Sequence, residues 1–389
     1  MKRKVTPFYC KKEWDFKKNG GTYKKDRLGI AKKFLDKYGF VVIEDILSWK
    51  DNLNARKLLS EDLTNICSEF NNRAVGDINI TEDILPDTQG GFRNGYGIAF
   101  GKYAMYCRQI KAIRKIFANF HNSKEEDMCI SWDNIFYNQN NGNTNNNFWL
   151  HFDKMKLGYD NKKLHSWDEY MLQSALYLTD SNFFTPSFVC IPKSHKKLWE
   201  LYSNTYYSSG HFYRIEDTPE YRDQCVRIHI KKGSIIIWNS QLAHANNCII
   251  NGSNKDNNEP KRLGSFLCMC NKKKRTFDAF RNMILLYIKG FCSTHWPNLM
   301  MYHGNNLSTK KKYNFNKLCP ELNNDISEKD FTKIIDELSV QNLKTQNISL
   351  NNIHTIDIKY LIKVNPYLLY KLLPKNIQQI QPIYPNKLM

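Results

Sequence analysis

From residue 28 onward the apolar positions change period several times, and each change predicts an element. Leu28, Ile30, Ala31, Phe34 and Leu35 recur at helical spacing. Tyr38-Gly39 stops that run, and Phe40-Val41-Val42-Ile43 reads as a strand. A second helical pattern passes through Leu58, Leu59 and Leu63, and a third covers residues 103–120. Short runs follow. Residues 130–138, 148–153, 172–178, 188–191, 226–230, 234–238 and 263–269 read as strands, with turn signals such as Gly233 and Asn251-Gly252 between them. Many short strands in this order predict a barrel or a sandwich. Residues 86–101 are rich in glycine but lack the strand-then-GxGxxG context or the GKS/T ending of a phosphate loop, so they read as a flexible loop.

The ends differ from the middle. Residues 1–28 read as a basic arm with little apolar periodicity. From about residue 311 the chain turns polar and helical. There Ser327-x-x-Asp330 precedes Phe331, Ile334, Ile335 and Leu338, the signature of a capped amphipathic helix. The expected organisation is an arm over 1–28, one domain over 29–310, and a helical extension over 311–389.

Composition narrows this picture. At 389 residues and 41% hydrophobic content the chain can bury a sizeable core. Its 11 cysteines contain no Cys-x-x-Cys pair and follow no secretory signal, which points to reduced thiols and a cytoplasmic protein. No apolar stretch is long enough to cross a bilayer, so no membrane partner is expected. The formal charge of +19 suits a polyanion such as nucleic acid, but abundant Lys, Asn, Ile and Tyr also suit an AT-rich genome. No nucleic-acid-binding motif favours the first reading.

The chemistry concentrates in His151-Phe152-Asp153 and in His244. In a strand, residues i and i+2 project from one face, so His151 and Asp153 can reach one ion while Phe152 points away. His244 stands just past the apolar strand Ile235-Ile236-Ile237-Trp238, which opens at Gly233. Two histidines and one carboxylate can cap a single face of Fe(II), leaving open positions for a cosubstrate and O₂. Arg262, on the approach to the next strand, could hold a distal carboxylate bidentately. His195 and His295 read as ordering and packing residues.

These segments together resemble the phytanoyl-CoA dioxygenase-like group of Fe(II)/2-oxoglutarate oxygenases. The resemblance is carried by Tyr38-Gly39-Phe40-Val41-Val42-Ile43, by His151-Phe152-Asp153, by Leu176 to Asp180 with the turn Pro192-Lys193-Ser194-His195-Lys196, and by the run from Gly233 to His244. They occur in the family's order over roughly residues 29–300. Lys193 stands where the family usually has Gly, and Ser234 where Asp often follows Gly233. The resemblance implies a mainly β fold with flanking helices, a double-stranded β-helix (jelly-roll) core, and a helical C-terminal appendage. It implies Fe(II) on His151, Asp153 and His244, with 2-oxoglutarate as cosubstrate. Arg262 is the implied carboxylate partner, with Arg275 as fallback across the insertion at residues 246–260. Gln173 is a further cosubstrate contact or a merely structural residue, and the choice among Asn134, Phe136 and Asn138 stays open. Related halogenases lack the carboxylate at the position of Asp153, so its presence implies hydroxylation, with release of succinate and CO₂. The expected partners are O₂ and a small-molecule substrate. Two other readings stand beside this one: a catalytically silent jelly-roll that binds a partner, and an oxygenase acting on nucleic acid or protein.

Overall fold

The computed structural model describes residues 10–66, 98–138, 148–153, 171–182, 185–197, 205–208, 212–246, 262–274 and 292–300, together with Phe92–Arg93 and a few single positions. The expected C-terminal helices and most of the glycine-rich stretch at 86–101 lie outside these residues. The chain divides into two compact units. The first comprises residues 1–53, 89–91 and 136–266, and the second comprises 54–88, 92–135 and 267–389. The expected single domain over 29–310 is therefore interleaved between two units.

The first unit begins with helix α1 (Phe16–Asn19) and strand β1 (Thr22–Lys24), inside the stretch expected to be an arm. Strand β1 pairs in parallel with β2 (Phe40–Glu44), its residue Thr22 opposite Val42. Between them, α2 (Leu28–Tyr38) buries Leu28, Ala31, Phe34 and Leu35. Gly39 ends it in the left-handed conformation at φ 87 and returns its N–H to the Leu35 carbonyl. No other residue fits there. A Cβ on Gly39 would lie 2.6 Å from Leu242 Cδ1 and 2.7 Å from His195 Nδ1. Trp14, Phe34, Tyr38 and Phe40 pack edge-to-face around this helix at centroid separations of 5.2–6.2 Å, apart from the stacked Phe34–Tyr38 pair at 4.4 Å. The first turns of α3 (Trp49–Ile66) also belong to this unit.

In the second unit β3 (Phe92–Arg93) precedes α4 (Lys102–Arg108), α5 (Lys111–Phe120) and β4 (Met128–Ile130). The helical pattern of 103–120 is thus two helices, broken where Ile110 turns extended.

The rest of the first unit is β-rich: β5 (Ile135–Asn138), β6 (His151–Asp153), β7 (Leu172–Tyr177), β8 (Phe188–Cys190), β9 (Thr205–Ser208), β10 (Phe212–Ile215), the short helix α6 (Pro219–Gln224), β11 (Val226–Ile228), β12 (Ile235–Asn239), β13 (His244–Asn246) and β14 (Arg262–Phe266). One sheet runs β1-β2-β12-β7-β14-β5 within this unit, and the other runs β11-β8-β13-β6-β10-β9. Strands β1 and β2 pair in parallel, and the neighbours around the triad and across β2, β12, β7 and β14 pair antiparallel. From β5 to β8 the chain alternates sheets strand by strand, and it does so again from β11 to β14. The two sheets face each other: Phe188 of one meets Trp238 of the other at 4.9 Å, and Gln173 of one reaches Asp153 of the other. Of the mainly β fold with flanking helices that was expected, the described residues form helices together with largely antiparallel sheets.

Two expected strands are interrupted. The run at 130–138 is β4 and β5 separated by residues 131–134, and the run at 263–269 is β14 followed by β15 (Met269–Asn271). At the break Ser131 donates its N–H to the Cys268 carbonyl, and β15 then pairs with β4 inside the second unit, Cys270 opposite Cys129.

Candidate metal centre

Strand β6 is only three residues long, and its pleat decides the site. Phe152 turns into an apolar cluster with Phe8, Leu150, Val189 and Ala245, which sends His151 and Asp153 to the opposite face. Strand β13 lies alongside, with His244 directly opposite His151. Side chains opposite one another on neighbouring strands share a face, so the two imidazoles meet, at a centroid separation of 4.4 Å.

The donor atoms converge on one point. His151 Nε2 lies 3.7 Å from Asp153 Oδ1, and His244 Nε2 lies 3.9 Å from Asp153 Oδ2. Both separations exceed hydrogen-bond length and suit ligands on two sides of one ion. Each ring is held from behind. His151 Nδ1 sits 3.0 Å from the Trp149 carbonyl and His244 Nδ1 sits 2.8 Å from the Leu242 carbonyl. A carbonyl only accepts, so in both rings Nδ1 carries a proton, and Nε2 is the atom turned towards the carboxylate. The carboxylate is fixed too. Gln173 Nε2 donates to Asp153 Oδ2 at 2.8 Å, and the Asp153 N–H donates to the Ser240 carbonyl at 2.7 Å. Backbone supports hold such a ligand set in place.

The turn after β8 positions His244 as well. Ser194 Oγ accepts the Ala243 N–H at 2.8 Å, and Ile191 N–H donates to the Ala243 carbonyl at 3.0 Å. Lys193, which opens this turn, has φ 68, the left-handed region where Gly is favoured. Next to it, burial lowers the pKa of His195 below the ordinary value, while its bond to the Asp36 carbonyl and the charge of Asp36 oppose that and Lys196 adds to it.

Arg262 is fully buried at the start of β14. Its guanidinium donates to Asn246 Oδ1 at 3.0 Å and to the Tyr177 hydroxyl at 3.4 Å, and lies 4.2 Å above the Phe136 ring. Asn246 shares a face of β13 with His244, and Tyr177 shares a face of β7 with Gln173. The arginine therefore reaches from the facing sheet to the strand that carries His244. Of the three open choices on the preceding run, Phe136 forms the floor under Arg262. Asn138 is buried with Oδ1 unpaired among the described residues, and Asn134 belongs to the second unit. Arg275 lies outside the described residues. Gln173, read as a cosubstrate contact or a structural residue, donates to Asp153 Oδ2. Trp238 was not anticipated. Its ring lies 5.4 Å from that of His244, and its place directly across from Gln173 could be read only from strand register.

The second unit holds another titratable cluster, Asp133, Cys268 and His295. Here the carboxylate and imidazole are already bonded: Asp133 Oδ2 lies 2.5 Å from His295 Nδ1, with the Cys268 thiol 3.9 Å away. Burial works against a charged His295, but the Asp133 carboxylate and its hydrogen bond raise the pKa well above the ordinary value. This is a closed ion pair.

Comparison with known proteins gives only remote likenesses. No family model matches the chain, and no curated protein does. Among solved structures, the α-ketoglutarate-dependent non-heme epimerase SnoN of nogalamycin biosynthesis, in complex with Fe3+, α-ketoglutarate and nogalamycin RO, aligns over 64% of this chain and 84% of its own, at 9% identity and TM-score 0.40. GIG2 (DUF1479) from Candida albicans covers 88% of both chains at 12% identity and TM-score 0.46. EvdO2 from Micromonospora carbonacea var. aurantiaca, complexed with 2-oxoglutarate, covers 61% of this chain and 89% of its own at 10% identity and TM-score 0.38.

Proposed function

We propose that the chain is an Fe(II)/2-oxoglutarate-dependent dioxygenase built on a double-stranded β-helix, and that it hydroxylates a small-molecule substrate. One observation carries the reading: two imidazoles pinned through Nδ1 present Nε2 to the same carboxylate at 3.7 and 3.9 Å. That donor set fits a single Fe(II) bound on one face. When bound, iron and 2-oxoglutarate would supply the oxidation of a C–H bond by O₂, with succinate and CO₂ as co-products. The alternation of strands between the two sheets supports the β-helix, since a jelly-roll threads its strands in that way.

The chain's own residues have separate tasks in this reading. His151 and His244 bind as neutral imidazoles, so the site carries a single negative charge from Asp153. Gln173 spends its amide N–H on Asp153 and keeps the carboxylate from rotating. Arg262 offers a planar fork of donors to the far carboxylate of the cosubstrate. Phe136 and Tyr177 flank the guanidinium and exclude water from it, which strengthens a charge-assisted bond.

The test begins without oxygen. Wild-type protein mixed with Fe(II) and 2-oxoglutarate should develop a visible metal-to-ligand charge-transfer band, and admitting O₂ should release succinate. Asp153→Ala should lose both. Equal succinate release from the variant would sink the assignment. A wild type with no band, and no thermal shift with Mn(II) and 2-oxoglutarate, would leave a catalytically silent jelly-roll.

A further inference from the structure

Trp238 and Gln173 are direct partners across β12 and β7, so their side chains leave the sheet on the same face. That face is the one opposite β6 and β13. Gln173 is anchored there through Asp153, and the Trp238 ring lies against both His244 and Phe188. Both residues are buried, Trp238 at 1% and Gln173 at 0% exposure. Yet among the described residues Trp238 Nε1 and Gln173 Oε1 have no hydrogen-bond partner, and they do not bond each other. A buried indole N–H nearly always finds an acceptor, and one left alone in a folded protein calls for an explanation. Here a donor and an acceptor, both orphaned, stand beside the three candidate metal ligands.

We propose that Trp238 is a ligand-binding residue whose indole N–H donates to a carboxylate oxygen of the 2-oxo acid bound at the triad. The inference rests on the function proposed above and adds a contact to it. Indole is a donor only and a carboxylate is an acceptor only, so the pair is complementary without any proton changing place. A hydrogen bond to an ionised acceptor in a dry site is among the stronger ones, and its loss should be visible in affinity. Gln173 Oε1 needs a donor, which a water held beside that carboxylate can supply. The competing account is purely steric: Trp238 fills the space between Phe188 and His244, and its N–H is simply left buried.

The experiment uses the full chain loaded with Zn(II), a diamagnetic stand-in that the same ligands accept. Titration with 2-oxoglutarate gives the affinity. The nitrogen-15 spectrum of labelled indoles follows the eight tryptophans, and Trp238→Phe identifies the resonance of Trp238. The expected results are a shift of that one N–H on adding 2-oxoglutarate and about tenfold weaker 2-oxoglutarate binding by Trp238→Phe. Zn(II) affinity in the variant should stay within about twofold of wild type, which also reports that it is folded. If the wild type binds 2-oxoglutarate while the Trp238 resonance stays still and the variant binds equally well, the role of Trp238 is overturned and the oxygenase reading stands. If wild type binds none, both fall.

Discussion

Replacing Arg262 by Met keeps the length of the buried stem and removes the guanidinium. In the wild type that group is fully buried, stacked 4.2 Å above Phe136 and hydrogen-bonded to Asn246 and Tyr177. On the proposed function it also makes a two-pronged bond to the far carboxylate of 2-oxoglutarate. A hydrogen bond to a charged group contributes about 1.5–3 kcal/mol, so losing the fork should cost about 3 kcal/mol of binding. At about 1.4 kcal/mol per factor of ten this is on the order of 100-fold in Kd. Arg262→Lys keeps a charge but not the fork, and should lose about tenfold. The fold itself should suffer much less. A buried charge is expensive to desolvate, so exchanging it for a thioether of similar size largely offsets the lost bonds, and Tm should move by only a few degrees. Titration of 2-oxoglutarate into metal-loaded wild type and both variants, with melting curves alongside, measures each quantity. If Arg262→Met binds 2-oxoglutarate within about threefold of a wild type that binds it well, the cation that holds the cosubstrate is another residue.

Three further outcomes follow from the same structure. Gln173→Leu removes the bond that fixes Asp153 and should weaken Zn(II) or Fe(II) binding about 10–100-fold in a metal titration, whereas equal affinity would show that Asp153 needs no such support. Asp62, in the second unit, accepts the N–H groups of Lys102 and Tyr103 at 2.9 Å, and burial outweighs those bonds and raises its pKa from 3.8 to about 7. The folded chain then keeps a proton that the unfolded chain has already lost. This contribution to stability is full below the unfolded pKa and is lost as pH rises through about 7, with each tenfold difference in proton affinity between the two states contributing about 1.4 kcal/mol. Denaturation midpoints should therefore fall less over that window in Asp62→Asn than in wild type, and parallel profiles would refute the raised pKa. Lys193→Gly relieves a non-glycine residue at φ 68 but gives up the Lys193 ammonium 5.2 Å from the Tyr38 ring, for a net gain of about 0.5 kcal/mol in denaturant unfolding. A loss of stability would mean that the ring contact outweighs the strain.

The parts of this site that sequence reveals are those set by local spacing. The i, i+2 relation of His151 and Asp153 follows from the period of a strand, and the stop at Tyr38-Gly39 from the conformation only glycine takes easily. Long-range register leaves no such trace. Nothing in residues 172–178 announces that Gln173 will lie within reach of Asp153, or that Trp238 will stand opposite Gln173. The two overlong strands, 130–138 and 263–269, fail for a related reason. Each is rich in apolar residues from end to end, but each changes its partner midway, and a change of partner leaves the apolar content in place. Gly264 was the available hint. A Cβ there would run into the Leu176 carbonyl, and an isolated glycine in a strand marks close backbone approach. The first 28 residues misled by brevity: β1 is three residues long, too short for a period to show.

The two clusters of acid, imidazole and sulfur or nitrogen donors separate on distance alone. In the pair Asp133–His295 the oxygen and nitrogen are 2.5 Å apart, closer than two ligands of one ion can stand, because a proton lies between them. An ion could enter only by displacing that proton and driving the side chains apart. At His151, Asp153 and His244 the gaps of 3.7 and 3.9 Å are too long for a shared proton. The protons on these rings are already committed to the Trp149 and Leu242 carbonyls on the far side. Nε2 of each ring thus faces the Asp153 carboxylate, and the three groups converge on one point. A cation placed there would take one ligand atom from each. On the proposed function, with both imidazoles bound as neutral ligands, metal binding at the triad should stabilise the fold with little proton release near neutral pH, whereas a metal forced onto Asp133, Cys268 and His295 would have to release protons from both the thiol and the imidazole. Calorimetric titration of Zn(II) in two buffers of different ionisation enthalpy measures that difference. Binding accompanied by the release of one or more protons would place the metal away from His151, Asp153 and His244.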